Sequence, residues 1–400
     1  MRLGFVTDLY YPWIGGPSIL VRTLAQALAR AGHSVSLLAP SPDGHPRVEA
    51  EGAVGVTRVR TVASPFGHNL RFAALPRQSV SRWLDETQPD VVHVHHPFPL
   101  SAAAVLAARR RGIPVAATNH TVPECTLWGI RGISPLYRPA YSAFALWLRW
   151  MLSRCDAVVT PTATAVESLR RLGYRGDVGT ISNGVDCNRF SPGPPDPGLR
   201  DALNLDARPV VLYTGRLDAD KDMQTWLRAA ALLCRTVDAQ FVVGGNGTDR
   251  SRLESLSREL GLDGRVRFIG YLPEESFPRV YRLADVYCIT SPVELQSITT
   301  LEAIASGLPV AAARAGALPE LVSDGQNGFL FEPGDSGCAA RAMALLLQNE
   351  ERRRSMSLNS RAIALRHEVT RTIAAYEKFL AMTSRMRRGA AGERAPAVGN

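Results

Sequence analysis

Two glutamates separated by seven residues indicate a phosphate-binding helix in the second half of the chain. Glu294 precedes, and Glu302 lies inside, a short stretch that we predict to be a helix ending at Gly307, with Pro309 beyond it. The first N–H groups of such a helix attract anions, and here they belong to three residues: Gln296, Ser297 and Ile298. A carboxylate, phosphate-binding amides and a second carboxylate could follow the length of a sugar nucleotide. A glutamate pair by itself more often marks a solvated helix face.

Two cations at a strand end strengthen this interpretation. Arg216 and Lys221 follow the apolar run Pro209–Thr214, where ligands reach the carboxyl edge of a parallel sheet. Lysines occur only at Lys221 and Lys378, among 46 lysines and arginines together, so a lysine at this place is unusual for the chain. Two cations that face a helix N-terminus would stabilise a departing diphosphate as its negative charge grows. The alternative is a solvated pair on a loop.

A strand of the first half ends in a histidine that could face a ligand. His120 follows the run Pro114–Thr118 and could donate a hydrogen bond to a sugar hydroxyl or to an acceptor, although a lone histidine is more often structural. Three more histidines end another strand: His93, His95 and His96. No cysteine or carboxylate joins them nearby, so we do not expect zinc. We expect Asp218 and Asp220, which lack a third ligand, to shape their turn rather than to bind a metal.

The elements that must position these residues alternate regularly between strand and helix. The predicted strands are short apolar runs at Arg2–Thr7, Val35–Ala39, Val91–His95, Pro114–Thr118, Ala157–Thr160, Val178–Ile181, Pro209–Thr214, Gln240–Val243, Val266–Ile269 and Ala284–Ile289. Helical stretches separate them, which predicts parallel sheets covered by helices on both faces. Gly15 and Gly16 are placed at the end of the first strand, where missing side chains let a ligand touch the backbone.

The length of 400 residues favours two domains. The Pro- and Gly-rich stretch Phe190–Gly198 follows the turn Asn183–Asp186, and we place the boundary there. The prediction is an α/β protein of two doubly wound, Rossmann-like domains that face each other across a cleft. Residues 1–182 form the acceptor-side domain and residues 183–365 the nucleotide-sugar-binding domain. A C-terminal helix, 366–387, packs back on the N-terminal domain, and 388–400 is a disordered tail.

Composition restricts the compartment and the partners. The six cysteines are scattered without a C-x-x-C pair, and the N-terminus begins as a strand rather than a signal peptide, so we expect a cytoplasmic protein. No stretch approaches the roughly eighteen apolar residues of a membrane span. The net charge of +9 is compatible with anionic lipid, but it is spread along the chain without a recognition motif, so nucleic acid is not expected.

Over nearly its whole length the chain resembles the retaining GT-B glycosyltransferases of glycosyltransferase family 4. The resemblance rests on these motifs, in this order: Gly15-Gly16, Asn183-Gly184-Val185-Asp186 with Arg189-Phe190, Arg216 with Lys221, Gly244-Gly245-x-Gly247, Glu294-x7-Glu302, and the run from Leu301 to Val310. It implies a nucleoside-diphosphate sugar as donor, retention of the anomeric configuration, and no metal or other cofactor. The family often has Phe-Gly shortly after the first glutamate, where this chain has Leu295-Gln296-Ser297.

The resemblance also implies roles for single residues. It gives His120 and Glu294 to the donor sugar as catalytic residues, Glu302 to the ribose, and Arg216 with Lys221 to the diphosphate. Further donor contacts are implied for these residues: Gly15, Gly16, Gly245, Tyr271, Leu272, Gln296, Ser297 and Ile298. Backbone groups near Gly270-Tyr271-Leu272 would read the base. No carboxylate is obviously placed as a nucleophile, so we favour front-face attack.

The acceptor is indicated by the segment from Leu127 to Leu152, which is rich in aromatic and arginine residues: Trp128, Arg131, Tyr137, Arg138, Tyr141, Phe144, Trp147, Arg149 and Trp150. Such a helix suits a membrane interface, and the segment resembles that of diacylglycerol glucosyltransferases. We therefore expect a peripheral enzyme on anionic lipid, using UDP-glucose or a similar donor and a lipid such as diacylglycerol. Alternatives are inward-packed aromatics with a soluble sugar, cyclitol or natural-product acceptor, and a subunit that binds sugar nucleotides without turnover.

Overall fold

The computed structural model describes residues 1–13, 15–63, 71–128, 135–271 and 273–392, with side chains as far as Met386. The described chain divides into two compact units. The first comprises Met1–Thr126, Gly132–Ser182 and Arg371–Asn400, and the second comprises Leu127–Arg131 and Asn183–Thr370. Each unit is built on its own parallel sheet, so each is described by itself.

The first unit alternates strands and helices around one large sheet. Its elements are β1 (Arg2–Val6), α1 (Gly16–Arg30), β2 (Ser34–Pro40), β3 (Arg47–Glu51), β4 (Val54–Val59), β5 (Thr61–Ala63), β6 (Arg71–Ala73), α2 (Pro76–Thr87), β7 (Val91–Val94), α3 (Pro99–Arg110), β8 (Val115–Thr118), α4 (Pro123–Thr126), α5 (Tyr137–Leu152), β9 (Ala157–Thr160), α6 (Ala163–Arg171) and β10 (Gly179–Thr180). The sheet order is β10-β9-β8-β7-β1-β2-β4-β3, and the strand order reverses between β1 and β7. Ligands bind at such a reversal, beyond the carboxyl ends of the strands.

The strands of this sheet are apolar because helices cover both faces. All four residues of β7 and of β8 are buried, which is typical of central parallel strands. The edge differs, since β3 runs antiparallel to β4 and has no fully buried residue. The sequence analysis assigned no strand to β3, β4, β5 or β6, because it searched for continuous apolar runs and these four strands are partly exposed.

The second unit has a parallel sheet of the same kind. Its elements are α7 (Pro197–Ala202), β11 (Val210–Thr214), α8 (Met223–Leu233), β12 (Gln240–Gly244), α9 (Arg250–Glu259), β13 (Val266–Gly270), α10 (Phe277–Tyr281), β14 (Val286–Ile289), α11 (Ile298–Ala305), β15 (Val310–Ala313), β16 (Gly328–Phe331), α12 (Ser336–Leu347) and α13 (Glu350–Arg366). The order β13-β12-β11-β14-β15-β16 is that of a doubly wound, dinucleotide-binding fold, with its reversal between β11 and β14. Together the two sheets confirm the predicted α/β, Rossmann-like fold class.

A C-terminal helix, α14 (Val369–Gly392), returns to the first unit. Tyr376 and Leu380 are fully buried and belong to the same core as β1, β2 and α1. The helix begins three residues after the predicted start, because the chain at His367 leaves α13 to exchange backbone hydrogen bonds with Val185. It also runs to Gly392, past the predicted start of the tail at 388. Residues 393–400 of that tail lie outside the described residues.

Predicted strand ends agree with the structure to within two residues, and the larger differences have local causes. The strand predicted from Ala284 begins at Val286, because the Ala284 N–H closes a turn onto the carbonyl oxygen of Tyr281 at 3.2 Å. Gly15 and Gly16 do not end the first strand, which stops at Val6. They begin α1 instead, with Gly15 at its N-cap.

Candidate active site

Lys221 and Glu294 form a largely buried ion pair in the second unit, with 2.8 Å between Lys221 Nζ and Glu294 Oε1. Lys221 ends a single 3-10 turn that follows β11, and Glu294 lies on the loop between β14 and α11. The Thr290 hydroxyl joins the two loops, since it lies 3.1 Å from the Lys221 carbonyl oxygen and 2.9 Å from that of Asp222. Because β11 and β14 are neighbours at the strand-order reversal, the topology itself brings this pair together.

Three more charged side chains complete what we call the cation–acid cluster, which consists of Arg216, Asp218, Asp220, Lys221 and Glu294. Asp220 lies between the two cations, 3.3 Å from Lys221 Nζ and 3.0 Å from a guanidinium nitrogen of Arg216. Arg216 also pairs with Asp218. Burial alone would lower the pKa of Lys221, but the charges of Glu294 and Asp220 outweigh burial and raise that pKa above its usual value. Lys221 is therefore a fixed cation at neutral pH.

The sequence analysis placed Arg216 and Lys221 correctly at one strand end but did not predict that each would have a carboxylate partner. The acids hold the cations in place, and Asp218 also accepts hydrogen bonds from the Thr248 N–H and hydroxyl at 2.8 and 3.0 Å. Arg216 remains 43% exposed, so its guanidinium can turn toward an arriving anion. Asp218 thus ties the loop after β11 to the loop after β12, as its expected turn-shaping role requires.

Gly245 allows these two loops to touch. Its φ of +125° lies in a region that favours glycine, and a Cβ at this position would overlap the carbonyl oxygen of Gly215. The Gly245 N–H donates to the carbonyl oxygen of Gly270 at 2.7 Å, and the Gly215 N–H donates to that of Gly244 at 3.0 Å. Backbone therefore forms the surface here, which suits the close approach of a ligand.

The N-terminus of α11 is capped by a side chain, and the helix begins slightly later than expected. Ser297 is the N-cap, and its hydroxyl accepts from the Thr300 N–H. Within the described residues, no acceptor is found for the N–H groups of Ile298 and Thr299. The predicted amide at Gln296 precedes the helix, and the Gln296 side chain instead accepts from the Asn183 N–H at 2.7 Å. The open helix end thus lies one turn beyond Glu294.

Glu302 lies inside a hydrogen-bonded network of hydroxyl groups. The Tyr281 hydroxyl is 2.6 Å from Glu302 Oε2 and 2.7 Å from the Thr214 hydroxyl. Burial raises the pKa of Glu302 to about 7, opposed by the Tyr281 hydrogen bond and by the charge of Arg189. Burial therefore favours the neutral form of Glu302, which can donate a hydrogen bond as well as accept one. Tyr281 was missed, because nothing in the sequence near α10 marks it as different from an ordinary core tyrosine.

Gly316 fixes the backbone of Glu294, and the sequence analysis did not single it out. Its φ is +52°, and a Cβ there would overlap the backbone of Glu294. The next residue, Ala317, donates its N–H to the Glu294 carbonyl oxygen at 2.8 Å. The loop after β15 therefore presses directly on the loop that carries Glu294. The sequence feature that could have identified Gly316 is a glycine soon after a short buried strand.

The first unit has a separate group of histidines at the carboxyl ends of β7 and β8. This histidine cluster consists of His93, His95, His96 and His120. His120 stacks on His95 with 5.7 Å between ring centroids, and its Nε2 lies 3.4 Å from His95 Nδ1. His93 Nε2 is 2.7 Å from the Thr118 hydroxyl, and His96 Nδ1 is 3.0 Å from that of Thr7.

Burial keeps this cluster neutral. It lowers the pKa of His93, His96 and His120 to about 3, and that of His95 well below the usual value, with the neighbouring histidines adding to the effect in His93, His95 and His96. His93 Nδ1, His95 Nε2 and His96 Nε2 are buried without a hydrogen-bond partner in the described part of the chain. No group of three or more His, Cys, Asp or Glu side chains that could hold a metal ion is found among the described residues.

Comparison with known proteins decides the family. Residues 14–189 match the family described as Glycosyltransferase Family 4, and residues 198–363 match Glycosyl transferases group 1. The chain belongs to glycosyltransferase family 4. A solved structure, sucrose-phosphate synthase from Thermosynechococcus elongatus, superposes on this glycosyltransferase with a TM-score of 0.78 at 21% identity, over 96% of this chain and 99% of that one. The predicted GT-B fold is thereby confirmed.

Three relatives of the glycosyltransferase differ in their named substrates. A GDP-mannose-dependent alpha-mannosyltransferase of Mycolicibacterium smegmatis is 31% identical over 91% of this chain and 93% of that protein. A D-inositol 3-phosphate glycosyltransferase of Saccharomonospora viridis is 32% identical over 90% and 87%. An alpha-monoglucosyldiacylglycerol synthase of Streptococcus pneumoniae is 27% identical over 83% and 75%.

The remaining predicted donor contacts of the glycosyltransferase lie in several places. The Gly15 N–H donates to the Ser18 hydroxyl oxygen at 3.0 Å, and the Ser18 hydroxyl donates to the Gly15 carbonyl oxygen at 2.8 Å. Gly16 is the first residue of α1. Tyr271 is 57% exposed just after β13. Leu272 lies outside the described residues, as does Arg131 of the aromatic segment. Five of the predicted residues lie near the carboxyl ends of the strands in the second unit: Arg216, Lys221, Gly245, Glu294 and Glu302.

Proposed function

We propose that this glycosyltransferase moves a hexose from a nucleoside-diphosphate sugar to a lipid hydroxyl, with retention and without a metal. The observation that supports this most is the cation–acid cluster beside the open N-terminus of α11. Lys221 and Arg216 supply positive charge, and the Ile298 and Thr299 N–H groups supply donors, so a diphosphate finds both at one place. Glu294, on the loop that precedes α11, supplies a carboxylate for the hydroxyls of the sugar.

The acids of the cluster do not contradict an anionic ligand. Asp220 and Glu294 hold Lys221 in position before the donor arrives, which limits the reorganisation needed in the transition state. A diphosphate offers more charge and more acceptor oxygens than one carboxylate, so it can compete for the exposed Arg216 guanidinium. As the bond to the sugar breaks, charge grows on the phosphate that these cations face.

Retention by front-face attack agrees with the state of Glu294. A double displacement requires a carboxylate that is free to attack the anomeric carbon. Glu294 Oε1 is instead engaged by Lys221 at 2.8 Å. In the proposed reaction the oxygen of the departing phosphate takes the acceptor's proton while the acceptor oxygen bonds to the anomeric carbon on the same face.

The donor and acceptor are proposed from different observations. GDP-mannose is the first donor to test, since it stands in the name of the mycobacterial relative, and UDP-glucose, the donor expected from the sequence, is the second. A lipid acceptor is favoured by α5, on which Leu146 is 59% and Trp147 39% exposed, against the inward packing of a purely structural helix. The enzyme would then act as a peripheral protein at the cytoplasmic face of the membrane. Among the described residues, no helix is long and apolar enough to cross a bilayer.

A soluble cyclitol acceptor is the second candidate, favoured by the relative named for D-inositol 3-phosphate. Incubating the enzyme with each donor and with diacylglycerol micelles or inositol phosphates, followed by mass spectrometry of the products, separates the two. A binding-only subunit would release no sugar from any donor. The anomeric coupling constant of the product, measured by NMR, must report the configuration of the donor, and excess chelator must leave the rate unchanged.

The central test replaces Lys221 by methionine. The loss of one preorganised cation facing the leaving group is expected to lower kcat roughly 10²–10³-fold. The chain provides a matched control, because its other lysine, Lys378, is exposed on α14, and Lys378→Met removes the same charge from outside the cation–acid cluster. Equal turnover in the Lys221→Met and Lys378→Met variants would overturn the proposal. Protection against thermal unfolding by the sugar nucleotide shows whether donor binding was also lost.

A further inference from the structure

An open groove of about 1420 Å³ runs along α5 in the first unit. We call it the α5 groove. Its lining comes from α5, from the start of β9, from the segment between α6 and β10, and from Met386 of α14. In the described sheet β10 is an edge strand, so the groove lies at the margin of the unit rather than at the strand-order reversal where the histidine cluster lies.

The apolar part of the groove is unusually exposed. Leu146, Trp147 and Met386 line it and are 59%, 39% and 49% exposed. Trp147 stacks on Trp150 with 4.9 Å between ring centroids. The Trp147 indole N–H is already used, because it donates to the Pro97 carbonyl oxygen at 2.5 Å, so its outer face offers only apolar surface. An exposed apolar patch of this kind, bordered by charge, marks an interaction surface.

The charges on the groove are mainly positive. Its lining includes four arginines and two aspartates: Arg149, Arg154, Arg170, Arg175, Asp156 and Asp177. Arg154 lies over the Trp150 ring with 4.2 Å to its centroid, and Arg170 donates to the carbonyl oxygens of Tyr174 and Gly176. Arg149 and Arg175 are exposed, and neither has a hydrogen-bond or ion-pair partner within the described part of the chain. The Arg149 guanidinium reaches across to Gly173, so it borders both sides of the groove.

We propose that the α5 groove holds an anionic phospholipid at the bilayer surface, with its phosphate on Arg149 and Arg175 and an acyl chain along Leu146, Trp147 and Met386. Arginine pairs with phosphate through two parallel hydrogen bonds, and stacked tryptophans suit the depth of lipid headgroups. A soluble anion would use the arginines but would leave the apolar residues exposed. The inference rests on the proposed function in one respect, namely that a lipid acceptor brings the enzyme to a bilayer.

The test measures partitioning of the full chain onto vesicles of equal parts phosphatidylglycerol and phosphatidylcholine. Each basic residue near an anionic surface contributes about fivefold, so Arg149→Gln with Arg175→Gln is expected to weaken binding roughly 30-fold at low salt. The matched control is Arg228→Gln with Arg235→Gln, which removes the same charge from exposed positions in the second unit and is expected to bind like the wild type. Equal binding by the two double variants would overturn the proposal.

A second pair of substitutions tests the acyl chain. Leu146→Ser with Met386→Ser is expected to weaken binding also at high salt, where charge is screened. Full retention of binding by this variant, or equal wild-type binding to vesicles of phosphatidylcholine alone, would refute the groove as a phospholipid site. Competition of vesicle binding by a nucleic acid at equal phosphate concentration would likewise refute it.

Transfer to a lipid dispersed in detergent separates this inference from the proposed function. There Arg149→Gln with Arg175→Gln is expected to turn over like the wild type, because neither residue belongs to the cation–acid cluster. Vesicle binding without lipid transfer would contradict the proposed acceptor alone, whereas lipid transfer without vesicle binding would contradict the groove alone.

Discussion

Acidification is expected to unfold the first unit before the second, because the histidine cluster is buried in its neutral form. His93, His95 and His96 are at most 2% exposed, and burial holds the pKa of His93 and His96 near 3, against 6.5 for an exposed histidine. Below pH 6.5 these histidines become protonated in the unfolded chain but stay neutral in the folded one. A folded pKa below the unfolded one therefore makes stability fall as the pH falls.

The size of the effect follows from these values. Each proton that only the unfolded state binds costs about 1.4 kcal/mol of stability per pH unit. Unfolded histidines are half-protonated at pH 6.5, so three of them lose roughly 5 kcal/mol between pH 6.5 and about 5. Asp8 in the same unit opposes this change, since burial raises its pKa to about 6 despite the hydrogen bonds that it accepts near the start of α3. It restores about 1.2 kcal/mol, which leaves a net loss of roughly 4 kcal/mol. Whole domains are stable by only about 5–15 kcal/mol.

The assay must report the first unit alone, because Glu302 in the second unit shifts the other way. The chain is equilibrated in urea at each pH and pulse-labelled with deuterium at one fixed pH, and the midpoint is read by mass spectrometry for peptides that cover β7. His96→Gln, which can keep the hydrogen bond to Thr7, should remove about one third of the pH dependence. His45→Gln, at an exposed turn, should change nothing. A β7 midpoint that is constant between pH 7 and 5 would refute the reasoning.

Two further predictions concern the second unit. Burial raises the folded pKa of Glu302 from 4.5 to about 7, so the wild type should lose roughly 3 kcal/mol of stability as the pH rises through this interval. Glu302→Gln should abolish that loss. If the urea midpoints at pH 5 and pH 8 differ equally in both proteins, this prediction is contradicted. Gly316→Ala should destabilise the fold by roughly 1–3 kcal/mol of backbone strain and also displace Glu294, which lowers kcat/KM. The control is Gly325→Ala, because Gly325 has a φ of +75° but no atom lies near the position of its missing Cβ. This variant should lose stability without losing activity. Equal activity in both glycine variants would show that Gly316 does not position Glu294.

The fold was predictable because its signals are local. Buried parallel strands form short apolar runs, and the stop of α11 at Gly307, whose φ is +80°, follows from the chemistry of glycine. The residues at the ends of β11 and β14 were also found, since topology places such ends together. The strands β3 and β4 were not found, because β3 at the sheet edge and β4 beside it both include exposed residues and so form no continuous apolar run.

Contacts between distant side chains could not be predicted in the same way. Nothing in the spacing of Lys221 and Glu294 states that their atoms meet at 2.8 Å, nor that Asp220 lies against both cations. The network of Glu302, Tyr281 and Thr214 joins α11, α10 and β11, whose relative positions are set by packing. Gly316 illustrates the difference, since its role is visible only once the backbone of Glu294 lies against it.

The return of α14 makes the order of synthesis matter for folding. Tyr376 and Leu380 are buried with Leu3 and Phe5, so β1 is synthesised long before the helix that closes its core. The sequence from Asn183 to Thr370 has no such wait and can collapse while the N-terminal sheet still exposes one face. A chain truncated before Tyr376 would leave that apolar face exposed and prone to aggregation. The first unit therefore keeps this part of its core open until α14 has been synthesised.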